Sequence, residues 1–526
     1  MSLLESSLKG TTYLILLQAV SRVLTFTLNQ LILRYTTPSI FGFATIQLEL
    51  LLSTILFLCR EGFRTAVQRL PVQGNNDRVQ EIINISYIPV TAGLFISSVL
   101  SAAYISRAPD ESRRIDYFTS TVSIYAFSTI IELLSEPGYN VALHKLRYKV
   151  RASCEGLAIL SRCIVTFLVS VYGGPEIGAL AFALGQLAYS IILLITYTFS
   201  LDSKPETILA RRLSTGKWFD SSLLTLSLTN TARGLLKHIL TEGDKFMISC
   251  FSANEEQGTY GLAANYGGLV ARIVLQPVEE ASRSYFSNQL PLSAKTGETE
   301  NETEKEERKR TGWSVLSIII RVYLTLSMLL LAYGPKLIRD LLPRLLSPTW
   351  ARIVPVLSAY CYYIPLLALN GILEAFVSAT ATARELRLQG YFWIPCSLLF
   401  GLAGILFRSH GAQGLVFANC VNLSMRILWA LNYVVKYFGT KYHTREMSPS
   451  AISFLTVATL CAISVRVQYN DNFVEYIVKI AALCLSTVAL VGHGEYQSLD
   501  KSYRSTIMSK CKSLIGSRNP ANPAKE

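Results

Sequence analysis

Long apolar stretches follow one another along almost the whole chain, and short polar segments separate them. Most stretches reach the roughly 20 residues that a helix needs to cross a bilayer. The pattern predicts about fourteen membrane-spanning helices. They lie near residues 8–35, 38–61, 81–106, 116–137, 151–173, 176–199, 226–251, 258–290, 313–333, 350–381, 388–407, 411–436, 450–468 and 472–492. The fold class that follows is an all-α polytopic membrane protein.

The eighth stretch, residues 258–290, carries polar side chains at helical spacing. These positions are Asn265, Arg272, Gln276, Glu279 and Arg283. Separations of three, four and seven residues place them on one face of a helix, while the opposite face is aliphatic. A charged side chain costs about 2.5–3.5 kcal/mol at the centre of a membrane helix on insertion scales, so such residues turn toward a protein interior or a wet cavity. The stripe therefore predicts either a polar cavity or a buried ion pair between helices.

The first, second and seventh predicted spans carry similar polar stripes, and the four helices together would enclose a central cavity richer in Arg and Lys than in acids. Arginine binds phosphate through two parallel hydrogen bonds, so an anionic head group, a phosphate or diphosphate, is the expected ligand. The candidate ligand-binding residues are Arg22, Arg64, Arg233, Lys237, Asn265, Arg272, Gln276 and Arg283. The candidate gating or structural residues are Glu61, Glu136, Asp244, Lys245, Glu279 and Glu280.

Simpler interpretations of several of these residues stay open. Glu61 and Arg64 are spaced to form an ion pair on one helix. Glu242 and Lys245 have the same spacing, and Asp244 with Arg233 of the preceding turns is a second candidate for an internal ion pair. Arg60 lies near a span end and is expected to extend toward the membrane interface.

The composition supports a membrane protein, because 51% of the 526 residues are hydrophobic and 16% are charged. Soluble proteins carry about 25% charged residues.

The net charge is +13. With a cytosolic N-terminus, the cytosolic loops and tail hold about 27 Lys and Arg and the other loops about 7, which places both termini in the cytosol. The basic excess therefore reflects topology and argues against nucleic-acid binding. Asn301, in an Asn-Glu-Thr sequon, is expected to face the cytosol and stay unmodified.

Motifs of catalysis and of metal binding are absent from the sequence. The ten cysteines are scattered singly without a CxxC pair, so we expect neither a disulfide framework nor a metal site. The sequence contains no GxxxxGK[ST], HExxH or GxSxG motif. We therefore expect no catalytic residues, no cofactor and no enzymatic activity.

The sequence also contains an internal repeat. A shift of 219 residues places the second span on the eighth, so that REGFR (60–64) overlays EEASR (279–283), and a shift of 238 places Glu136 on Glu374. Six helices separate the partners, so both halves have the same orientation in the membrane. The predicted organisation is two pseudo-symmetric six-helix lobes at 1–200 and 226–440, a cytosolic linker at 201–225, and two additional helices with a basic tail at 441–526.

Several stretches resemble a known family. They are SRVLTFTLNQLILRY (21–35), REGFRTAVQR (60–69), SEPGYNVAL (135–143), TEGDKFM (241–247) and GTYGLAANYGGLVARIVLQPVEEASRSYF (258–286). The chain is similar through them to the eukaryotic Rft-type oligosaccharide translocation proteins of the multidrug/oligosaccharidyl-lipid/polysaccharide (MOP) superfamily, which also contains MATE exporters and the MurJ lipid flippase. The resemblance implies two six-helix lobes with extra C-terminal helices. It also implies residence in the endoplasmic reticulum membrane and transfer of a dolichol-diphosphate-linked five-mannose oligosaccharide to the lumen for N-glycosylation.

Three functional hypotheses follow. The first is a translocator, in which the named Arg and Lys residues neutralise the diphosphate and the neighbouring glutamates orient them or gate the cytosolic side. The second is a non-transporting accessory protein that binds the lipid-linked oligosaccharide or another protein of the N-glycosylation pathway. The third, a cation-coupled exporter, is disfavoured because the first span offers Arg22 and no intramembrane acid.

Overall fold

The computed structural model describes residues 24–68, 70, 76–145, 147–200, 209–214, 216–219, 221–290, 302–439, 444–466 and 473–498. These ranges are helical apart from turns and short connections, and they contain no β-strand. Arg22, residues 8–23 of the first predicted span, and Asn301 lie outside the described residues.

The helices follow the predicted order. In the first part of the chain they are α1 (24–35), α2 (Pro38–Val67), α3 (Asn76–Ser86), α4 (Ile88–Arg107), α5 (Phe118–Leu134), α6 (Glu136–His144), α7 (Tyr148–Tyr172) and α8 (Gly178–Ser200). They continue with α9 (Ser221–Phe251), α10 (Asn254–Val270), α11 (Gln276–Gln289), α12 (Glu302–Leu345), α13 (Ile353–Thr380), α14 (Ala383–Leu406), α15 (Gly411–Phe438), α16 (Ala451–Arg466) and α17 (Phe473–Ser498).

Within the described ranges, ten helical segments are long and apolar enough to cross a membrane, which confirms a multi-pass all-α membrane protein. Each of the ten matches a predicted span. The seventh and eighth predicted spans, α9 and α10–α11, are helical but are not among the ten, because ionisable residues interrupt their apolar sequence. The thirteenth, α16, has only a short apolar segment, Ala451–Ile463. The exact number of spans stays a prediction.

Local sequence explains where several helices begin. The hydroxyl oxygen of Thr37 accepts a hydrogen bond from the Ile40 N–H at 3.4 Å, and Pro38 takes the first position of α2, where a missing N–H costs nothing. Pro137 lies in the first turn of α6, where the missing N–H is likewise tolerated. This proline separates α5 from α6 at Ser135, so that the helix restarts at Glu136.

Helix α2 contains two π-helical turns, Phe43–Leu48 and Phe57–Glu61, and a third π-helical turn, Ala271–Leu275, joins α10 to α11. A π-helical turn holds one extra residue and therefore changes which side chains face a neighbouring helix. The second of these turns contains Arg60 and Glu61, so this irregularity lies within the polar part of α2.

By contact, the chain divides into two compact units, and the first contains Met1–Leu262, Leu346–Ile353 and Gly404–Leu415. In this first unit, α8 packs along both α5 and α7, and α9 packs against the C-terminal part of α2. Helix α10 crosses α2 with no room for side chains, because a Cβ on Gly258 would overlap the Pro38 carbonyl and one on Gly42 would overlap the Gly258 amide. Small residues at such a crossing let two membrane helices approach closely.

The second unit contains Ala263–Leu345, Val354–Ala403 and Val416–Glu526. Its core is an aromatic cluster in which the Phe376 ring lies 5.1 Å from Phe286 and 5.4 Å from Phe438. Trp313 joins the cluster and donates its indole N–H to a Glu446 carboxylate oxygen at 2.6 Å. A buried indole finds a polar partner in this way.

Candidate functional site

A buried network of two arginines and two glutamates joins α2 to α5 and α6 in the first unit. Arg60 Nη1 lies 2.6 Å from Glu132 Oε1 and 3.4 Å from Glu136 Oε1. Arg64 binds Glu136 through two hydrogen bonds, Nη2 to Oε1 at 2.5 Å and Nε to Oε2 at 2.9 Å. The prediction that Arg60 extends to the membrane interface is therefore wrong, since two carboxylates from a neighbouring segment hold it inside the protein.

Both glutamates of this network are removed from solvent, because the Glu136 side chain is 0% exposed and that of Glu132 is 4% exposed. The Arg64 guanidinium also lies over the Tyr139 ring, 3.6 Å from its centroid. Charges in such surroundings persist only when they are paired and hydrogen-bonded. The network therefore fixes α2 against α5 and α6.

A polar cavity of about 350 Å³ opens beside this network within the first unit. The described side chains that line it come from α2, α5, α7, α8 and α9 and are Glu49, Leu52, Ser53, Leu56, Phe57, Arg60, Glu61, Glu132, Arg162, Gln186, Tyr189, His238 and Glu242. In the same lining, Arg162 Nη2 lies 3.2 Å from Glu49 Oε2. A cavity of this size lies at the lower end of the range that small-molecule sites occupy, about 300–1,000 Å³.

An apolar cavity of about 390 Å³ adjoins the polar one along the contact between α2 and α9. Its lining is Leu50, Thr54, Leu58, Leu235, His238, Ile239, Glu242, Gly243 and Phe246. His238 and Glu242 line both cavities and mark the boundary between them. The His238 ring stacks on Phe57 with 4.2 Å between centroids. The two cavities therefore form one amphipathic region.

Two glycines make this approach of α9 to α2 possible. A Cβ on Gly62 would overlap the Thr231 hydroxyl and the Ser227 carbonyl oxygen, while a Cβ on Gly234 would press on the Phe57 ring at 3.0 Å. Close packing at both positions holds the His238 ring within reach of α2.

The second unit contains the repeat-equivalent residues in a different arrangement. Arg283, the counterpart of Arg64, pairs with Glu279 on its own helix at 2.8 Å and donates to the Ser378 hydroxyl at 3.1 Å. Glu374, the counterpart of Glu136, accepts a hydrogen bond from Asn370 at 3.2 Å. The counterpart of Arg60 is Glu279, so the charge at this repeat position is reversed. The described counterparts in the second unit therefore form no network of two arginines and two glutamates.

The remaining predicted site residues are distributed over both units. Lys245 pairs with Glu242 at 2.9 Å, which confirms the simpler interpretation of that pair. Glu61 is exposed and lines the polar cavity, whereas Arg64 pairs with Glu136 in place of Glu61.

Asn265 and Gln276 are exposed, and Glu280 accepts a hydrogen bond from Gln276 at 3.2 Å. The backbone of Arg233, Lys237, Asp244 and Arg272 is helical, and their side chains are not described. The ligand-binding role of all these residues stays a prediction.

Three lining residues, Glu132, Arg162 and Gln186, were not predicted from the sequence. Arg162 and Gln186 have no charged residue three or four positions away, so they form no charged stripe, whereas Glu132 lies four residues before Glu136 and shares its helical spacing. One signal was available for Glu132 and Arg162, because an ionisable residue inside a membrane span is itself a candidate for function. Nothing in the local sequence distinguishes Gln186 from an exposed glutamine.

The fold is shared with membrane proteins of known structure. The chain is similar to the lipid II flippase MurJ in an inward closed conformation, with a TM-score of 0.62, 13% identity, and coverage of 93% of this chain and 99% of that one. It is also similar to an inward-facing multidrug resistance MATE family transporter of the MOP superfamily, with a TM-score of 0.53, 10% identity, and coverage of 78% and 94%. At this identity the similarity establishes the fold alone.

The sequence comparison is more specific. The model of the Rft protein family matches residues 6–505, and the chain belongs to this family. A relative from Schizosaccharomyces pombe is 35% identical over 82% of this chain and 84% of its own length. A relative from Yarrowia lipolytica is 34% identical over 83% of this chain and 71% of its own length. A relative from Saccharomyces cerevisiae is 28% identical over 97% of this chain and 98% of its own length. All three are named Man(5)GlcNAc(2)-PP-dolichol translocation protein RFT1.

Proposed function

We propose that this protein moves the Man(5)GlcNAc(2)-diphosphate-dolichol intermediate from the cytosolic to the lumenal leaflet of the endoplasmic reticulum membrane, for use in protein N-glycosylation. The observation that carries the proposal is membership of the Rft family. The chain aligns with most of the length of relatives that are named for this translocation. The fold shared with a lipid flippase and a MATE transporter supports a transport role.

The amphipathic region of the first unit suits such a substrate. A lipid-linked oligosaccharide joins a very polar head group to a long hydrocarbon chain. The polar cavity offers hydrogen-bonding side chains, and the adjoining cavity offers Leu50, Leu235 and Ile239 to an isoprenoid chain. Since His238 and Glu242 line both cavities, the junction between head group and chain would lie beside them.

The diphosphate requires cations, and we assign this role to Arg22, Arg233, Lys237 and Arg272. Arg64 and Arg283 already bind glutamates. They would contact the diphosphate only by exchanging a carboxylate for a phosphate oxygen. Glu61, Glu136, Asp244, Lys245, Glu279 and Glu280 would orient the basic residues or contribute to gating. Neither covalent chemistry nor a cofactor is required, and the protein acts as a transporter.

The proposed architecture retains the fourteen spans, both termini in the cytosol, and the lobes at 1–200 and 226–440 with two additional C-terminal helices. The like-oriented internal repeat and the MurJ-like fold support this arrangement. A rearrangement that opens the site first to one leaflet and then to the other would carry the head group across.

Reconstitution tests the proposal. Purified full-length protein in liposomes should accelerate transfer of radiolabelled Man(5)GlcNAc(2)-diphosphate-dolichol to the outer leaflet, measured by its accessibility to an added mannose-binding lectin. Empty liposomes and liposomes with the Arg272→Ala variant are the controls, and the variant should be slower. Tight binding of the lipid with no acceleration of transfer would contradict the proposal and favour the accessory role.

A further inference from the structure

The described lining of the polar cavity carries more carboxylates than cations. This lining contains the four glutamates Glu49, Glu61, Glu132 and Glu242 and two arginines, Arg60 and Arg162. Lys245, which pairs with Glu242, adds a third cation at the margin. Four carboxylates against three cations leave the described surroundings without a positive excess, so the described side chains do not attract a phosphate.

The described cations at the cavity are also already engaged. Arg60 binds Glu132 at 2.6 Å, Arg162 binds Glu49 at 3.2 Å, and Lys245 binds Glu242 at 2.9 Å. A phosphate would have to displace one of these carboxylates and leave it buried without a partner, which is unfavourable in a site of low dielectric. Hydroxyl groups impose no such exchange, because a paired carboxylate still has lone pairs to accept further hydrogen bonds.

Gln186 provides an independent indication of a ligand. Its side chain is 1% exposed and lines the cavity. Its amide Nε2 donates to Glu132 Oε2 at 3.2 Å, while its Oε1 accepts no hydrogen bond from any described residue. This bond to a carboxylate fixes the amide orientation, because the opposite orientation would bring two acceptors together. A buried acceptor without a partner is costly, so it calls for a donor from a ligand or water.

We propose that this cavity is a subsite for neutral sugar, in which Gln186 Oε1 and the Glu49 and Glu132 carboxylates accept hydrogen bonds from sugar hydroxyls and Tyr189 contributes its phenol. The inference rests on the proposed function and specifies which part of the head group enters the cavity. The diphosphate remains outside this cavity. The arginines then serve to hold the sugar-binding glutamates in place.

Binding of isolated parts of the substrate tests the subsite. Full-length protein in nanodiscs is titrated with free Man(5)GlcNAc(2) oligosaccharide, with dolichyl diphosphate lacking sugar, and with inorganic diphosphate. Gln186→Met, which keeps the side-chain volume and removes the amide, should weaken oligosaccharide binding about 3- to 10-fold. It should leave dolichyl diphosphate binding unchanged.

The matched control is Gln68→Met, which makes the same change at an exposed position outside the cavity and should bind like wild type. Tyr189→Phe is a second variant that removes one hydroxyl and no volume, and it decides the matter if Gln186→Met does not fold. The subsite is overturned if the folded cavity variants bind the oligosaccharide as tightly as Gln68→Met. It is equally overturned if inorganic diphosphate displaces the oligosaccharide from the wild-type protein.

Failure of the subsite and failure of the proposed function are distinguishable. Accelerated lipid transfer in liposomes with unaltered oligosaccharide binding by both cavity variants would overturn the subsite and retain translocation. Oligosaccharide binding that depends on Gln186, with no acceleration of transfer, would retain the subsite and overturn translocation.

Discussion

Arg64 and Glu136 form a two-bond ion pair between α2 and the α5–α6 segment, with Nη2–Oε1 at 2.5 Å and Nε–Oε2 at 2.9 Å. The two residues are 72 positions apart in the sequence, and the glutamate is fully buried. This pair determines how a residue expected to bind phosphate is used in the folded protein, because its guanidinium is engaged by a carboxylate of the same unit.

Replacing Glu136 should destabilise the protein strongly. Glu136→Ala leaves Arg64 buried without its partner, and loss of one member of a buried pair costs about 3–5 kcal/mol. Thermal unfolding of the purified variant in detergent should show a large loss of stability. Glu155→Ala is the control, because the partly exposed Arg151–Glu155 pair, at 3.5 Å, is worth only about 0–1 kcal/mol.

The double variant Arg64→Met, Glu136→Leu separates pairing from shape. It removes both charges and keeps most of the volume, so it should recover much of the stability lost in Glu136→Ala. A double variant as unstable as Glu136→Ala would contradict the interpretation that an unpaired charge causes the loss.

Arg283 should tolerate substitution better than its repeat counterpart. Its side chain is 44% exposed and that of Glu279 is 29% exposed, so the free energy of unfolding should change by about 1 kcal/mol or less in Arg283→Ala. If Arg283 exchanges the Glu279 carboxylate for a phosphate oxygen, lipid transfer in liposomes should nevertheless fall. Wild-type transfer by this stable variant would remove Arg283 from the binding residues.

The crossing of α2 and α10 should not accept a side chain. A Cβ on Gly258 would overlap the Pro38 carbonyl, so Gly258→Ala must separate the helices and should cost about 1–3 kcal/mol. Gly156→Ala on α7 is the control, since nothing lies within 4 Å of its added Cβ. Alanine favours a helix over glycine by up to about 1 kcal/mol, so this control should be neutral or slightly stabilising. Equal stability of the two variants would contradict the observed packing.

Filling the apolar cavity should affect the lipid part of the substrate alone. Leu50→Trp places an indole where the isoprenoid chain is proposed to lie. It should weaken binding of dolichyl diphosphate and leave binding of free Man(5)GlcNAc(2) unchanged. Both affinities are measured on protein in nanodiscs. An equal loss of both would indicate disruption of the fold, and no loss of either would argue against a chain at this position.

The orientation of the chain in the membrane has a simple chemical test. The predicted topology places Asn301 in the cytosol, away from the glycosylation machinery, so an endoglycosidase should not change the electrophoretic mobility of the protein. The Asn301→Gln variant should migrate with the wild type. A glycan at Asn301 would reverse the assigned orientation of that loop.

Part of the site followed from helical periodicity, because a stripe is a local property of the sequence. Glu61 was identified in this way, and it lines the polar cavity. Arg60 was misinterpreted because its position near a span end suggested the interface, whereas Glu132 and Glu136 hold it from other helices. Gln186 could not be predicted, since its importance lies in a missing hydrogen-bond donor, which is a property of its surroundings in the fold.

The sequence by itself determined that the chain is helical, that it belongs in a membrane, and which spans contain ionisable residues. These properties depend on hydropathy and on spacings of three and four residues, which are local. Only the tertiary structure decided which carboxylate each arginine meets, and hence that the described lining of the cavity has no positive excess. Ion pairing acts over a few ångströms between helices distant in sequence, and glycines such as Gly62 and Gly234 set how closely those helices approach.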